Sequence, residues 1–256
     1  MAAEMLIRVE GFYKTYRETA AVTDLTFEVN AGQILAILGP NGAGKTTTLR
    51  AMSGIIPPTQ GKLFIAGHDV VRDSETAKRE LALVPDDPKL FDSLTVLEHL
   101  EFVATVYRVS DFEAKAAQLL EQFEMTEKRD TVAQELSRGM RQKVAICCAL
   151  LHDPRVILFD EPLTGLDPRG IRTLKDSIVK IAGTGAAIVV SSHLLALIED
   201  LCTHLLILHR GRRLFCGGLQ EARGAFADLH GDASLEEVFF RATEGKPVSV
   251  EEAVNP

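Results

Sequence analysis

Apolar and polar positions along this chain change rhythm from one region to the next, and the changes divide it into elements. Near the front, "AAVTDLTFEV" (20–29) and "GKLFIAG" (61–67) are short, β-rich, partly alternating runs broken by Asn and Gly, which predicts antiparallel strands. Between them "QILAILGPNGAGKTTTLRAMSGI" (33–55) passes from an apolar strand through a glycine-rich turn into a helix. From Ser93 to His152 the spacing becomes helical, with "TVLEHLEFVATVYRV" and "FEAKAAQLLEQFEM" carrying apolar residues three and four apart. Two more apolar strands follow, "RVILFDEP" and "GAAIVVSSH". Beyond Cys216 short helices mix with a polar tail ending "EGKPVSVEEAVNP". There is no internal repeat and no low-complexity linker, so the helical stretch reads as an insertion in an α/β core.

Composition narrows what such a chain can be. Its 256 residues, 46% hydrophobic, suffice for one large domain or two small ones with an ample core. The formal charge of -8 and pI near 5.4 give no overall basic field to gather nucleic acid. A local basic patch stays open. Four cysteines, Cys147, Cys148, Cys202 and Cys216, lack C-x-x-C spacing, and the adjacent pair lies in a helical run whose consecutive side chains diverge by about 100°. They are expected to be buried small hydrophobes in a reducing cytosol. No window approaches the roughly 18 uninterrupted apolar residues of a membrane span, so the chain is expected to be soluble by itself.

Candidate chemistry gathers at the ends of the apolar strands. Gly39-Pro-Asn41-Gly42-Ala-Gly44-Lys45-Thr46 fits G-x-x-x-x-G-K-[ST] with a strand before it and a helix after it. Glycines let backbone N–H groups wrap a polyphosphate, the helix N-terminus adds positive potential, Lys45 reaches the β and γ phosphates, and the Thr46 hydroxyl ligates Mg2+. The bland alternative is a chance glycine turn. In "RVILFDEP", Asp160 and Glu161 fall at a strand's carboxyl end, where open parallel sheets bind ligands. Asp160 is placed to hold Mg2+ and Glu161 to take a proton from an attacking water; capping of the next helix is the structural alternative. "GAAIVVSSH" puts His193 at an equivalent end, with a purely structural histidine as its alternative.

One further stretch, "QELSRGMRQKVAI" (134–146), places Ser137 as an N-cap before a buried helix, leaving free N–H groups near Arg138 and Gly139. The chain thus has two anion-binding helix starts and one lysine-bearing loop. The simplest use of the second start is to bind another molecule's nucleotide.

Together these motifs resemble the ATP-binding subunits of ABC transporters over nearly the whole chain. "LSRGMRQ" looks like the family's signature sequence, "GPNGAGKTT" its phosphate loop, "ILFDEP" its acidic strand, "TGLDP" (164–168) its intersubunit loop, and "SSH" carries what resembles its switch histidine. The resemblance implies an α/β fold: a P-loop NTPase core with an antiparallel β subdomain and an inserted α-helical subdomain. One ATPase domain would span 1–220 (core about 1–86 and 153–220, helices about 87–152), followed by a partly flexible extension at 221–256. It implies a head-to-tail homodimer or pseudo-dimer sandwiching two MgATP, each site joining one subunit's Gly39 to Thr47 loop, Thr47 included, to the other's Ser137–Gly139 segment. Tyr16 falls where the family stacks an aromatic on adenine; a strand-edge tyrosine is the alternative. Lys45, Glu161 and His193 would act on the γ-phosphate. Integral-membrane permease subunits would hold the protein at the cytoplasmic face of the membrane, and no nucleic acid would bind.

Signature and tail, with "SRGMRQ" in place of the commoner Ser-Gly-Gly-Gln form and "SLEEVFFRAT" near the end, look like exporter subunits. A departure lies in "LALVPDDPKLF", where the family has Gln after Val-Pro and this chain has Asp86. Asp86 is expected near the metal, able to ligand Mg2+ and to alter hydrolysis or coupling; a shifted register would remove it from the site. The alternative from another class is a nucleic-acid or ribosome ATPase of the same superfamily, which acidity disfavours. A GTPase is closed off, because Asn30, Asn41 and Asn255 are the only asparagines and none sits in Asn-Lys-x-Asp.

Overall fold

A computed structural model describes residues 4–226 and 234–244. The chain opens with β1 (Met5–Tyr16) and β2 (Thr19–Asn30), then β3 (Ile34–Leu38) and α1 (Lys45–Met52). β4 (Gln60–Ile65), β5 (His68–Asp69), α2 (Ser74–Arg79) and β6 (Leu81–Val84) follow. The helical stretch holds α3 (Val96–Tyr107), α4 (Phe112–Gln122) and α5 (Arg138–Leu150). The chain continues with β7 (Val156–Asp160), α6 (Pro168–Gly183), β8 (Ala187–Ser191), α7 (Leu195–Ile198), β9 (His204–His209) and β10 (Arg212–Gly218). α8 (Leu219–Phe226) and α9 (Leu235–Glu244) close the described chain.

The strands form two sheets. One is antiparallel, in the order β2-β1-β4-β5, and the other runs β10-β9-β3-β8-β7-β6. β3, β6, β7, β8 and β9 are parallel, with β10 antiparallel at the edge. β3, β7 and β8 are buried at every position, which requires unbroken apolar runs because both faces are covered. β2 instead buries Val22, Leu25, Phe27 and Val29 and exposes residues between them, so one face meets solvent.

Period two in β3 divides the core. Ile34, Ala36 and Leu38 join the cluster beneath the helices with Phe159 and Val190, while Leu35 and Ile37 join the cluster shared with the antiparallel sheet, with Phe12, Leu25 and Val189. The helical stretch enters after β6 and returns at β7, and these strands are adjacent. It is therefore a long crossover between neighbouring parallel strands. Thr95 and Glu98 close a capping box that starts α3.

β1, β6, β9 and β10 were not separately legible as strands. Each needs its sheet neighbours to account for its register. All four cysteines are free thiols; Cys147 and Cys202 are buried, and burial pushes Cys148 up to about 12 and Cys202 to about 11. Of the expected extension at 221–256, Ala222, Leu235 and Val238 are fully buried in the helical-side core. Residues 227–233 and 245–256, where part of that expectation falls, lie outside the described residues.

Candidate nucleotide site

Strand register sets the site. Ile37 pairs with Ser191, and Ser191 with Asp160, so the carboxyl ends of β3, β8 and β7 lie side by side. The loop after β3 wraps back over this edge into α1. Its turn demands glycine at 44, which caps α1 with φ of 104°, and a Cβ there would stand 2.8 Å from the Ala21 carbonyl and 3.0 Å from Val22 Cγ2. The start of α1, whose first N–H groups have no partner within the helix, borders a cavity of about 430 Å³. Tyr16, Asn41, Gly42, Gly44, Lys45, Thr46, Thr47, Asp86, Asp160 and Glu161 line it.

Its polar side chains hold one another. Lys45 is 7% exposed and its Nζ donates to the Gly39 carbonyl at 2.7 Å. The Thr46 hydroxyl donates to Asp160 Oδ1 at 3.2 Å, and the Ser191 hydroxyl donates to the same oxygen at 2.6 Å. Glu161 has φ of 50°, a conformation that costs a β-carbon-bearing residue about 1 kcal/mol. It is held there by its amide, which donates to the Ser191 carbonyl at 3.1 Å. Glu161 Oε2 lies 2.8 Å from His193 Nδ1 and accepts from the His193 amide at 3.2 Å, while Oε1 lies 3.8 Å from Lys45 Nζ. The carboxylate is thus fixed between a buried cation and an exposed imidazole. Tyr16 is 46% exposed at the cavity rim, with Lys14 Nζ 5.1 Å from its ring centre.

Ser137 caps α5 as its sequence position indicated, accepting from the Met140 amide at 3.3 Å. Gly139 meets the intersubunit-type loop so closely that a Cβ would stand 2.5 Å from the Gly165 carbonyl. Asp167 of that loop caps α6 and lies 3.3 Å from Lys143 Nζ. Slight burial opposes ionisation there, but the Lys143 hydrogen bond and charge hold the carboxyl below its usual value. Neither Ser137 nor Gly139 lines the cavity that holds Lys45. Asp86 does, but its Oδ1 accepts from Arg138 Nη2 at 3.0 Å, a partner the sequence did not disclose. Ser191 was also missed in its own role; its signal was the hydroxyl residue at the strand end beside Asp160.

A glycine loop leading into a helix at the carboxyl edge of a parallel sheet, with a buried lysine and an acidic strand end beside it, defines a P-loop nucleoside triphosphatase. The chain belongs to the ABC transporter family, whose model matches residues 22–164. It is an ATP-binding subunit and an ATPase. It is 33% identical over 241 residues to the ABC-type transporter ATP-binding protein EcsA of Bacillus subtilis, covering 93% of this chain and 97% of that protein. It is 31% identical to Nod factor export ATP-binding protein I of Cupriavidus metallidurans over 82% of this chain and 70% of that one. A solved ATP-binding subunit of an ABC transporter superposes with a TM-score of 0.89 at 35% identity, covering 93% of this chain and 99% of that one.

Proposed function

We propose that this chain powers an exporter by binding MgATP between two copies of itself and hydrolysing it. The observation that carries the reading is the gathering of Lys45, Thr46, Asp160, Glu161 and His193 around one cavity edge while the Ser137–Gly139 helix start lies outside that cavity. A second copy, placed head to tail, supplies the missing anion site to the first copy's Gly39–Thr47 loop. Export is supported by the likeness to a relative described as an export protein.

The residues fit a metal-bound triphosphate. Thr46 and Asp160, whose hard oxygens are paired by a hydrogen bond beside the phosphate loop, would hold Mg2+, directly or through water. Asp86 stands in the same cavity wall, although among the described residues no three His, Cys, Asp or Glu side chains converge as a metal site. Mg2+, when bound, neutralises phosphate charge and orients the phosphates. The backbone N–H groups of Gly42 to Thr47 and the Lys45 ammonium cradle the β and γ phosphates, and Tyr16 offers a stacking face for adenine. Glu161 takes a proton from the water that attacks the γ-phosphorus as the bond to ADP breaks. His193 keeps that carboxylate oriented, and Lys45 with the second copy's Ser137 and Gly139 stabilises charge on the transferring group.

The ATPase domain spans about 1–220, with helices at 87–152 set into the core and residues 221–256 as an extension. Among the described residues no helix is long and apolar enough to cross a membrane. A groove of about 450 Å³ between the core and the helices, walled by Pro88, Leu90, Phe91, Phe102 and Tyr107, is the seat for a permease segment at the cytoplasmic side. Phe91 and Phe102 are more than half exposed there; Phe102 lies on α3, and the loop that carries Phe91 includes Asp86 of the nucleotide cavity.

Light scattering with MgATP tests the reading. The Glu161→Gln protein should be a dimer, and the same protein with Ser137→Arg a monomer. A dimer that survives Ser137→Arg would remove the α5 start from the nucleotide site.

A further inference from the structure

Four charged side chains line the nucleotide cavity: Lys45 against Asp86, Asp160 and Glu161, so one positive and three negative charges leave the wall at -2 before a polyanion enters. Asp160 and Glu161 have roles that need their charge. Asp86 instead adds a carboxylate beside a triphosphate, which by itself repels it. Arg138, on an element 52 residues away in sequence, places Nη2 3.0 Å from Asp86 Oδ1.

That contact is built and not a chance surface pairing. Arg141, one turn along α5, donates to Asp92 Oδ1 and to the Ala133 carbonyl, both at 3.0 Å. Gln142, 1% exposed, reaches the Pro85 carbonyl at 3.4 Å. Residues 138, 141 and 142 share one face of α5, so the loop from Pro85 to Asp92 is strapped to that face at both ends. The close seat of Gly139 on Gly165 fixes the helix start, and with it Arg138. Arg138 and Asp86 are among the positions at which this chain departs from the commoner family pattern, Met140 being another, and these two departures carry opposite charge.

We propose that Arg138 and Asp86 act as one charge-balanced unit, in which Arg138 neutralises the Asp86 carboxylate and so lets the cavity accept a nucleoside polyphosphate without repulsion from its own wall. Arg138 is a positioning and charge-setting residue within its own subunit. The inference assumes that the cavity binds ATP, as proposed above. Both side chains are about half exposed, so the effect is modest and screened by salt.

The test is an equilibrium titration of the full chain with a fluorescent ATP analogue, competed by ATP and by ADP, which has no γ-phosphate to recruit a second copy. It is run with Mg2+ and with a chelator, at low and high salt, for wild type, Arg138→Ala, Asp86→Asn and the double variant, with Lys45→Ala as control. Arg138→Ala should weaken ADP and ATP binding by about five-fold at low salt and less at high salt, and Asp86→Asn should bring the double variant to within about two-fold of wild type. The same loss in the Asp86→Asn background, or no loss from Arg138→Ala, overturns the pairing. A loss from Asp86→Asn seen only with Mg2+ makes Asp86 a metal ligand and overturns it equally. Failure of wild type to bind, or binding untouched by Lys45→Ala, instead overturns the nucleotide reading of the cavity.

Discussion

The chain has two helix starts suited to phosphate, and they are built in opposite ways. The start of α1 sits at the carboxyl edge of the fully buried parallel strands β3, β7 and β8, and its lysine and acidic neighbours are held by Gly39, Ser191 and His193. The start of α5 is exposed, is capped by its own Ser137, and carries no lysine. The first gathers Lys45, Thr46, Asp160 and Glu161; the second has N–H groups, the Ser137 hydroxyl and the Arg138 guanidinium, which Asp86 engages. On the proposed reading a helix N-terminus would meet phosphate in both places, but only the sheet edge has side chains placed to direct its chemistry. Cost follows the same division, since Glu161 is kept in a left-handed conformation at the first and only a tight glycine contact is needed at the second.

The comparison breaks most visibly at Glu161. Glu161→Gln keeps shape and hydrogen-bond capacity but removes the base, so steady-state turnover should fall by about 10²–10⁴-fold, while ATP binding persists. A phosphate-release assay reading more than a tenth of wild-type turnover would take proton removal away from this residue.

At the second start the expected effect is on stability as well as assembly. Gly139→Ala drives a Cβ toward the Gly165 carbonyl and should cost about 1–3 kcal/mol in urea unfolding, with loss of the ATP-induced dimer. An unchanged unfolding midpoint would mean that the 164–168 loop yields freely.

The smallest effect lies past the far end of α5. His152 stacks on Tyr107 with ring centres 3.8 Å apart, and burial holds its imidazole below its usual value of 6.5. The unfolded chain then binds the extra proton below about pH 6.5 while the folded chain resists it. Stability is full above that pH and declines as pH falls toward the lowered value. His152→Gln should flatten this decline in thermal melts between pH 7 and 5, and an unaltered slope would assign the acid sensitivity elsewhere.

Legibility followed the range of the interactions. β3, β7 and β8 were readable because burial on both faces forces continuous apolar runs, and the Ser137 cap because its hydrogen bond closes within three residues. β6, β9 and β10 were not, since short apolar runs become strands only where a neighbour supplies their ladder. Asp86 drew notice as an odd residue beside the expected metal and Arg138 as part of an unusual signature, but nothing along the chain paired the two.

The sequence by itself determined the α/β alternation, the inserted helices, the phosphate loop and the acidic strand end, because each is written in residues close along the chain. Only the tertiary structure decided that Ser191 buttresses Asp160, that His193 and Lys45 fix Glu161 between them, that Gly139 seats on Gly165, and that Arg138 answers Asp86. Those contacts join segments separated by 26 to 116 positions in the numbering, and no local periodicity encodes which distant side chains a fold brings within hydrogen-bond reach.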